Sequence, residues 1–411
     1  MHITIVGAGI GGCTLALSLH EAGFRNIELY EGAQEVRELG VGINVLPHAA
    51  RELCELGLEP QLNSVAVRTE TLGYYNRLGQ VLWEEPRGVA AGYRWPQWSI
   101  HRGHLLGVLY SAVRARLGSQ RIHLGRRLAP QDLDALPGDC VIGADGVHSA
   151  VRARLVPNEG PPLWNGVTMW RGVTIAEPFL GGRRMVMAGR LSRRVILYPL
   201  RDLPDGRQLI NWVVTVRTED GRPMPRQDWS AETEPAEALA ETRGIALDFV
   251  DLGALIRNCE SVLKYPMADR EPLTRWRNGR TTLLGDAAHP MHPNGSNGAA
   301  QAILDARVLT RALVRHARTG EPLRALDDYE QERIPATTAV VQANRRAGPE
   351  RILDLVADRA PDGFARLEDV VSAHELAQIV EDYQRSAGFD PAVLNARPSL
   401  AARLDEASPT A

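Results

Sequence analysis

The apolar positions of the first thirty residues change period twice. Ile3, Ile5 and Val6 form a short apolar run, and residues 11–22 then carry Leu15, Leu17, Leu19 and Ala22 on a helix that Gly23 ends. Ile27-Glu28-Leu29-Tyr30 reads as a second strand, and Gly7-Ala8-Gly9-Ile10-Gly11-Gly12 joins the first strand to the helix. Further on, His48–Leu56 and Leu105–Leu117 predict amphipathic helices, and Thr69–Trp83 predicts strands of another sheet with a turn at Leu78-Gly79. From Val167 to Val216 four β-type runs follow at close spacing: 167–173, 184–188, 195–199 and 209–216. They predict a largely antiparallel sheet with one face on a ligand and the other in solvent. A turn is expected at Glu219-Asp220-Gly221. Past Arg346 the pattern is helical, through Ile352, Leu353, Leu355, Val356, Leu376, Ile379 and Val380, and the tail Ser399–Ala411 reads as mobile.

The glycine turn brings in the first chemistry. Gly7 permits a tight turn, Gly9 lets backbone approach a pyrophosphate, and Gly12, beside Gly11, allows close packing of helix on strand. The helix then aims its N-terminal N–H groups at phosphate. Glu31 ends the second strand nineteen positions after Gly12, placed to accept from ribose hydroxyls. A 2′-phosphate there would repel it, so the expected ligand is FAD or NAD. Two further strands run into Gly/Asp turns, at Cys140–Arg152 and at Thr281–Pro290.

In this order the three segments resemble the fingerprints of the single-component FAD-dependent aromatic hydroxylases, the para-hydroxybenzoate hydroxylase family, over residues 1 to about 345. The stretches 40–44, 99–103, 168–173 and 297–305 look most like the phenazine-modifying branch. The resemblance implies an α/β fold: a Rossmann-like FAD-binding domain assembled from discontinuous segments (1–70, 99–160, 263–345), an inserted mainly antiparallel β-sheet substrate domain (71–98, 161–262), and a helical C-terminus (346–411). It implies that FAD is held by the glycine turn, Glu31, Gly42, Arg102, Leu128, Asp145, Asp286 and the run Gly295, Ser296, Asn297, Gly298 and Ala299. Asp286 would contact the ribityl chain, and the helix opening near Gly298 would favour negative charge on reduced flavin. For Asp286 the competing reading is a helix N-cap, and for Asp145 a turn carboxylate. Trp170, Tyr198, Trp212 and Pro293 are candidate substrate contacts, although aromatics on strands are commonly core. His292 is the candidate catalytic group, able to orient a phenol or carboxylate. NADH or NADPH would act transiently, since the chain has no second glycine fingerprint. Molecular oxygen would add at flavin C4a as a hydroperoxide and pass one atom to a small aromatic or heteroaromatic substrate. Epoxidation, Baeyer–Villiger insertion and decarboxylative hydroxylation remain open on the same scaffold, as does a non-catalytic flavin-binding protein.

Composition narrows this only slightly. The 411 residues exceed one ordinary core, and a net charge of −3 with scattered arginines offers no field for nucleic acid. Cys13, Cys54, Cys140 and Cys259 lack metal or redox spacing and read as reduced thiols. No metal is expected. Without a basic leader or an apolar run of spanning length, no membrane partner and a cytoplasmic location are expected.

Overall fold

The computed structural model describes residues 1–36, 40–218, 224, 231–346, 348–387 and 390–405, the side chains of 382–387 excepted. The expected turn at Glu219–Gly221 lies outside the described residues. A five-stranded sheet collects strands from separated parts of the chain, in the order Thr281–Leu283, Cys140–Gly143, His2–Val6, Asn26–Tyr30 and Ile122–His123, all neighbouring pairs parallel. Ile3, Ile5, Val141 and Ile142 are fully buried, as strands covered on both faces require. Helix Ile10–Ala22 packs against the long helix Gly298–Ala317, and Gly23 closes the first at φ +105°. The parallel ladder brings four carboxyl ends side by side. Gly7 N–H donates to Tyr30 O, Ala144 N–H to Val6 O and Leu284 N–H to Gly143 O.

The second large sheet has eight strands in the order 232–233, 262–269, 163–176, 208–217, 193–202, 184–190, 71–75 and 81–86. It is antiparallel except where Arg184–Arg190 meets Thr71–Tyr75 in parallel. Its far face does not meet solvent as expected. Trp170, Trp212, Val195, Leu197 and Val214 are buried there under Ala238, Leu247, Leu252, Leu255 and Ile256. A small sheet of Gly42–Val45, Trp98–His101 and Ala66–Arg68 joins the two large ones. Gly42 is the tightest point: its N–H donates to Asn211 Oδ1 at 2.8 Å, and an added Cβ would lie 2.7 Å from both Asn211 Cβ and Leu200 Cδ2.

The C-terminal helices Arg351–Arg359 and Ala373–Ala387 pack Ile352, Leu353, Val356, Leu376 and Val380 onto Leu72, Leu82 and Leu200. The tail expected to be mobile is docked as far as it is described. Leu400 is buried, Arg397 pairs with the buried Glu52, and Leu404 N–H donates to Ala22 O. Residues 406–411 lie outside the described residues.

Candidate active site

A cavity of about 540 Å³ runs from the carboxyl ends of the parallel sheet to the near face of the eight-stranded sheet. At its first end the glycine turn is shaped by steric necessity. Gly7 sits at φ +105° with any Cβ 2.4 Å from Ala144 O, and a Cβ on Gly12 would lie 1.9 Å from Gly7 O. Gly9 instead faces open space, with nothing within 4 Å of where a Cβ would point, and it borders the cavity beside Gly11. Arg102, which opens helix Arg102–Leu117, and Asp286 both reach this end. Asp286 is open to the cavity but walled by protein. That enclosure pushes its carboxyl pKa up, against the pull of His289 and Arg102.

The other acids of the sequence motifs are engaged with backbone. Glu31 accepts from Ala8 N–H and Ala33 N–H, both at 2.8 Å, beside the glycine turn and off the cavity wall. Asp145 accepts from Ser149 Oγ at 2.5 Å and Ala150 N–H at 2.7 Å, so it is engaged with the first turn of helix Ala150–Leu155, whose N-cap is Ser149, while its neighbours Ala144 and Gly146 line the cavity. Leu128 is half-buried against the core near Glu31 and does not line the cavity.

The loop after Asp286 forms the cavity's middle. Arg152 donates to Ala287 O and Ala288 O, and Asp305 accepts from Gly285 N–H at 3.0 Å and His289 Nε2 at 2.6 Å. Burial opposes charge on Asp305, yet the contacts with His289 and Arg333 hold it at about 2. His292, Pro293, Gly295, Ser296, Gly298 and Ala299 line the cavity, whereas Asn297 is buried behind them. Ser296 adopts φ +57°, a strained value for a non-glycine residue, and its Oγ accepts from Asn44 Nδ2 at 3.2 Å. Asn344 braces the loop from helix Pro322–Arg345, donating to His292 O at 3.2 Å and accepting from Asn294 through its carbonyl. Neither buried ring nitrogen of His292 makes a hydrogen bond of 3.5 Å or less among the described residues, and Nε2 lies 3.7 Å from an Asp269 carboxylate oxygen. Burial pushes the His292 pKa down, opposed by Asp269.

At the second end, strand alternation decides what faces the cavity. Met169, Arg171, Met185, Met187, Arg194, Ile196, Tyr198, Val213 and Thr215 point in. Trp170 and Trp212, expected as substrate contacts, have the opposite parity and lie in the far-face core. The Trp212 indole lies over Gly172, where a Cβ would approach it to 2.5 Å, and donates to Thr174 Oγ1 at 3.2 Å. Trp170 stacks under the Lys264 ammonium at 5.2 Å. Tyr198 does line the cavity and donates to Gly42 O at 2.8 Å. Among the described residues no cluster of His, Cys, Asp and Glu is disposed to hold a metal.

Comparison with known proteins matches the FAD binding domain family (FAD_binding_3) over residues 1–344. The chain belongs to the FAD-dependent aromatic hydroxylase family. It is 41% identical over 397 residues to the phenazine 1,6-dicarboxylic acid hydroxylase PhzS of Lysobacter antibioticus, covering 90% of this chain and 96% of that one. It is 30% identical to 6-hydroxynicotinate 3-monooxygenase of Bordetella bronchiseptica, covering 84% and 91%. Among solved structures it shares the fold of Klebsiella pneumoniae HpxO complexed with FAD and uric acid, at TM-score 0.68 and 23% identity, covering 94% of this chain and 93% of that one. The protein is thus an FAD-dependent enzyme of this family. No helix among its described residues is long and apolar enough to cross a membrane.

Several residues that build the cavity of this hydroxylase-family chain escape a sequence reading. Arg171 is half-buried and donates to Gly42 O and to Tyr265 Oη at 3.0 Å, fastening the eight-stranded sheet to strand Gly42–Val45. Arg194, Asn211, Asp305 and Asn344 are buried polar groups. Five of the seven methionines, 169, 185, 187, 267 and 291, line the cavity. A charged residue inside an apolar strand was the available signal, because such a group must face something polar.

Proposed function

We propose that the protein is an NAD(P)H-consuming monooxygenase that hydroxylates a flat aromatic or heteroaromatic molecule, with a phenazine-type tricycle as the leading candidate. One observation carries this reading: a single cavity joins the glycine turn and Asp286 to a methionine-lined sheet face, so flavin and substrate would share one enclosed volume. Gly9, Gly11, Arg102, Asp286 and the 295–299 loop would hold FAD. The open face of Gly9 and the Asp286 carboxylate fit a diphosphate and a polyol chain respectively. When bound, FAD supplies redox chemistry with NAD(P)H and oxygen activation that protein side chains lack.

The chain's own residues orient and enclose. Methionine thioethers give polarizable, adaptable walls to a planar ring, and Tyr198, fixed by Gly42 O, shapes the wall next to them. The similarity to the Lysobacter phenazine hydroxylase favours a tricycle over a single ring. His292, with its pKa lowered, carries a neutral imidazole near pH 7 that would take or share the proton of a ring hydroxyl. The test is NADH and NADPH oxidation by the FAD-loaded protein, with and without phenazine-1-carboxylate, quinoline acids and benzoates. Phenazine-dependent acceleration with a hydroxylated product supports the proposal. Acceleration by no ring compound overturns it.

A further inference from the structure

Two buried charges at the sheet end of the cavity lack proper partners. Arg194, 6% exposed, makes one long hydrogen bond among the described residues, from Nη2 to Asn294 Oδ1 at 3.3 Å, and its buried Nε has no partner. Glu350, 9% exposed, makes no side-chain hydrogen bond and no ion pair of 4 Å or less among the described residues, and it acts on Arg194 and Tyr74 only through longer-range attraction and repulsion. Both line the cavity. Arg171, half-buried on the same face, is better supplied, donating through its terminal nitrogens to Gly42 O and to Tyr265 Oη at 3.0 Å, although its Nε also has no partner among the described residues.

A guanidinium removed from water costs several kcal/mol unless paired and hydrogen-bonded, so an under-satisfied one facing a cavity is poised for an anion. Its planar fork matches a carboxylate. Glu350 offers the complementary chemistry, an acceptor with no donor. It stands just beyond residue 344, where the match to the family ends, at the start of helix Arg351–Arg359. Its side chain makes no cap bond there, so capping does not account for it.

We propose that Arg194 and Glu350 form a two-point recognition site for a ring that carries a carboxylate at one position and an N–H or O–H donor at another. This rests on the reading that the cavity takes the aromatic substrate, and it adds what that substrate must carry. Arg194 would receive the acid from the sheet, and Glu350 the donor from the C-terminal extension.

The test titrates FAD-loaded full-length protein, following the flavin absorbance, with acid and amide pairs on three rings: benzoate and benzamide, quinoline-4-carboxylate and its amide, phenazine-1-carboxylate and its amide. Hydroxy- or amino-substituted acids of each ring form the second series. Wild type should prefer acid to amide at least tenfold. Arg194→Met should weaken the acids by roughly ten- to a hundredfold and leave the amides nearly unchanged, whereas Arg194→Lys should keep part of the preference. Glu350→Met should weaken the donor-bearing acids about tenfold and spare the bare acids. Flavin content and thermal melting of each variant show whether it folds. Equal binding of acid and amide by wild type, equal weakening of both by Arg194→Met, or no binding by any acid overturns the inference. Arg194-dependent binding of benzoates or quinoline acids without the phenazine acid would sustain it while overturning the tricycle proposed above.

Discussion

Asp145 and Asp286 arise from the same local grammar, an apolar strand running into a glycine-containing turn, yet they end in different states. Asp145 is held by Ser149 Oγ and two backbone N–H groups, because Ser149 and Ala150 begin a helix at once. Asp286 enters a single 3-10 turn and keeps its carboxylate toward the cavity. Sequence shows that each acid follows a strand. It does not show which one the next helix consumes. The glycines were legible for the opposite reason, since the Gly7 φ and the Gly12 contact leave no room for any other residue. If Asp286 holds FAD through a charge-assisted hydrogen bond, Asp286→Ala should raise the Kd for FAD by roughly one to two decades, worth about 1.5–3 kcal/mol. Asp205→Ala, in the exposed turn where Asp205 pairs with Arg207, should leave it unchanged. Fluorescence titration of the two apoproteins gives the comparison, and equal affinities would remove Asp286 from the flavin site.

At the scale of elements, strands and long helices could be read because their apolar period persists over many residues. Parity could not, because the eight-stranded sheet is buried on both faces and the usual in-out contrast disappears. Trp170 and Trp212 therefore looked equivalent to Tyr198, though only Tyr198 shares a face with Arg194 and Met187. Trp212→Ala should destabilise the protein by about 3–5 kcal/mol in denaturant unfolding while barely changing FAD affinity in the folded fraction. A marked loss of FAD affinity with unchanged stability would contradict its far-face placement. The turn that carries Asp286 depends on Asp305, which joins Gly285, His289 and Arg333. Its folded pKa of about 2 lies below the ordinary 3.8, so its contribution is complete above about pH 4 and is lost as pH falls from about 4 toward 2. Asp305→Asn should cost about 3–5 kcal/mol at pH 7 by leaving the buried Arg333 guanidinium without its carboxylate. That gap should narrow by about 2 kcal/mol between pH 7 and pH 2. A gap that stays constant across this range would show that Asp305 is not ionised in the fold.

Across the whole molecule, the cavity is assembled from segments far apart in sequence: residues 9–11 and 285–299 beside the parallel sheet, 169–215 on the eight-stranded sheet, and 349–350 from the C-terminal helices. No local motif announces that last contribution, which exists only because Ile352, Leu353 and Val356 pack onto the sheet edge. Such an enclosed volume matters for oxygen chemistry, since water admitted beside the substrate would divert reduced flavin to peroxide release. The proposed monooxygenase therefore makes a mass-balance prediction that a reductase or a flavin sensor does not. With a true substrate, NAD(P)H oxidation should accelerate and peroxide per NAD(P)H should fall as product rises. Under labelled molecular oxygen the hydroxylated ring should carry one labelled atom, and labelled water should contribute none. Mass spectrometry of the product reads both arms. An unlabelled hydroxyl under labelled oxygen would reject oxygen transfer, whereas acceleration that yields only peroxide would identify a ring that enters the cavity without being held in a reactive position.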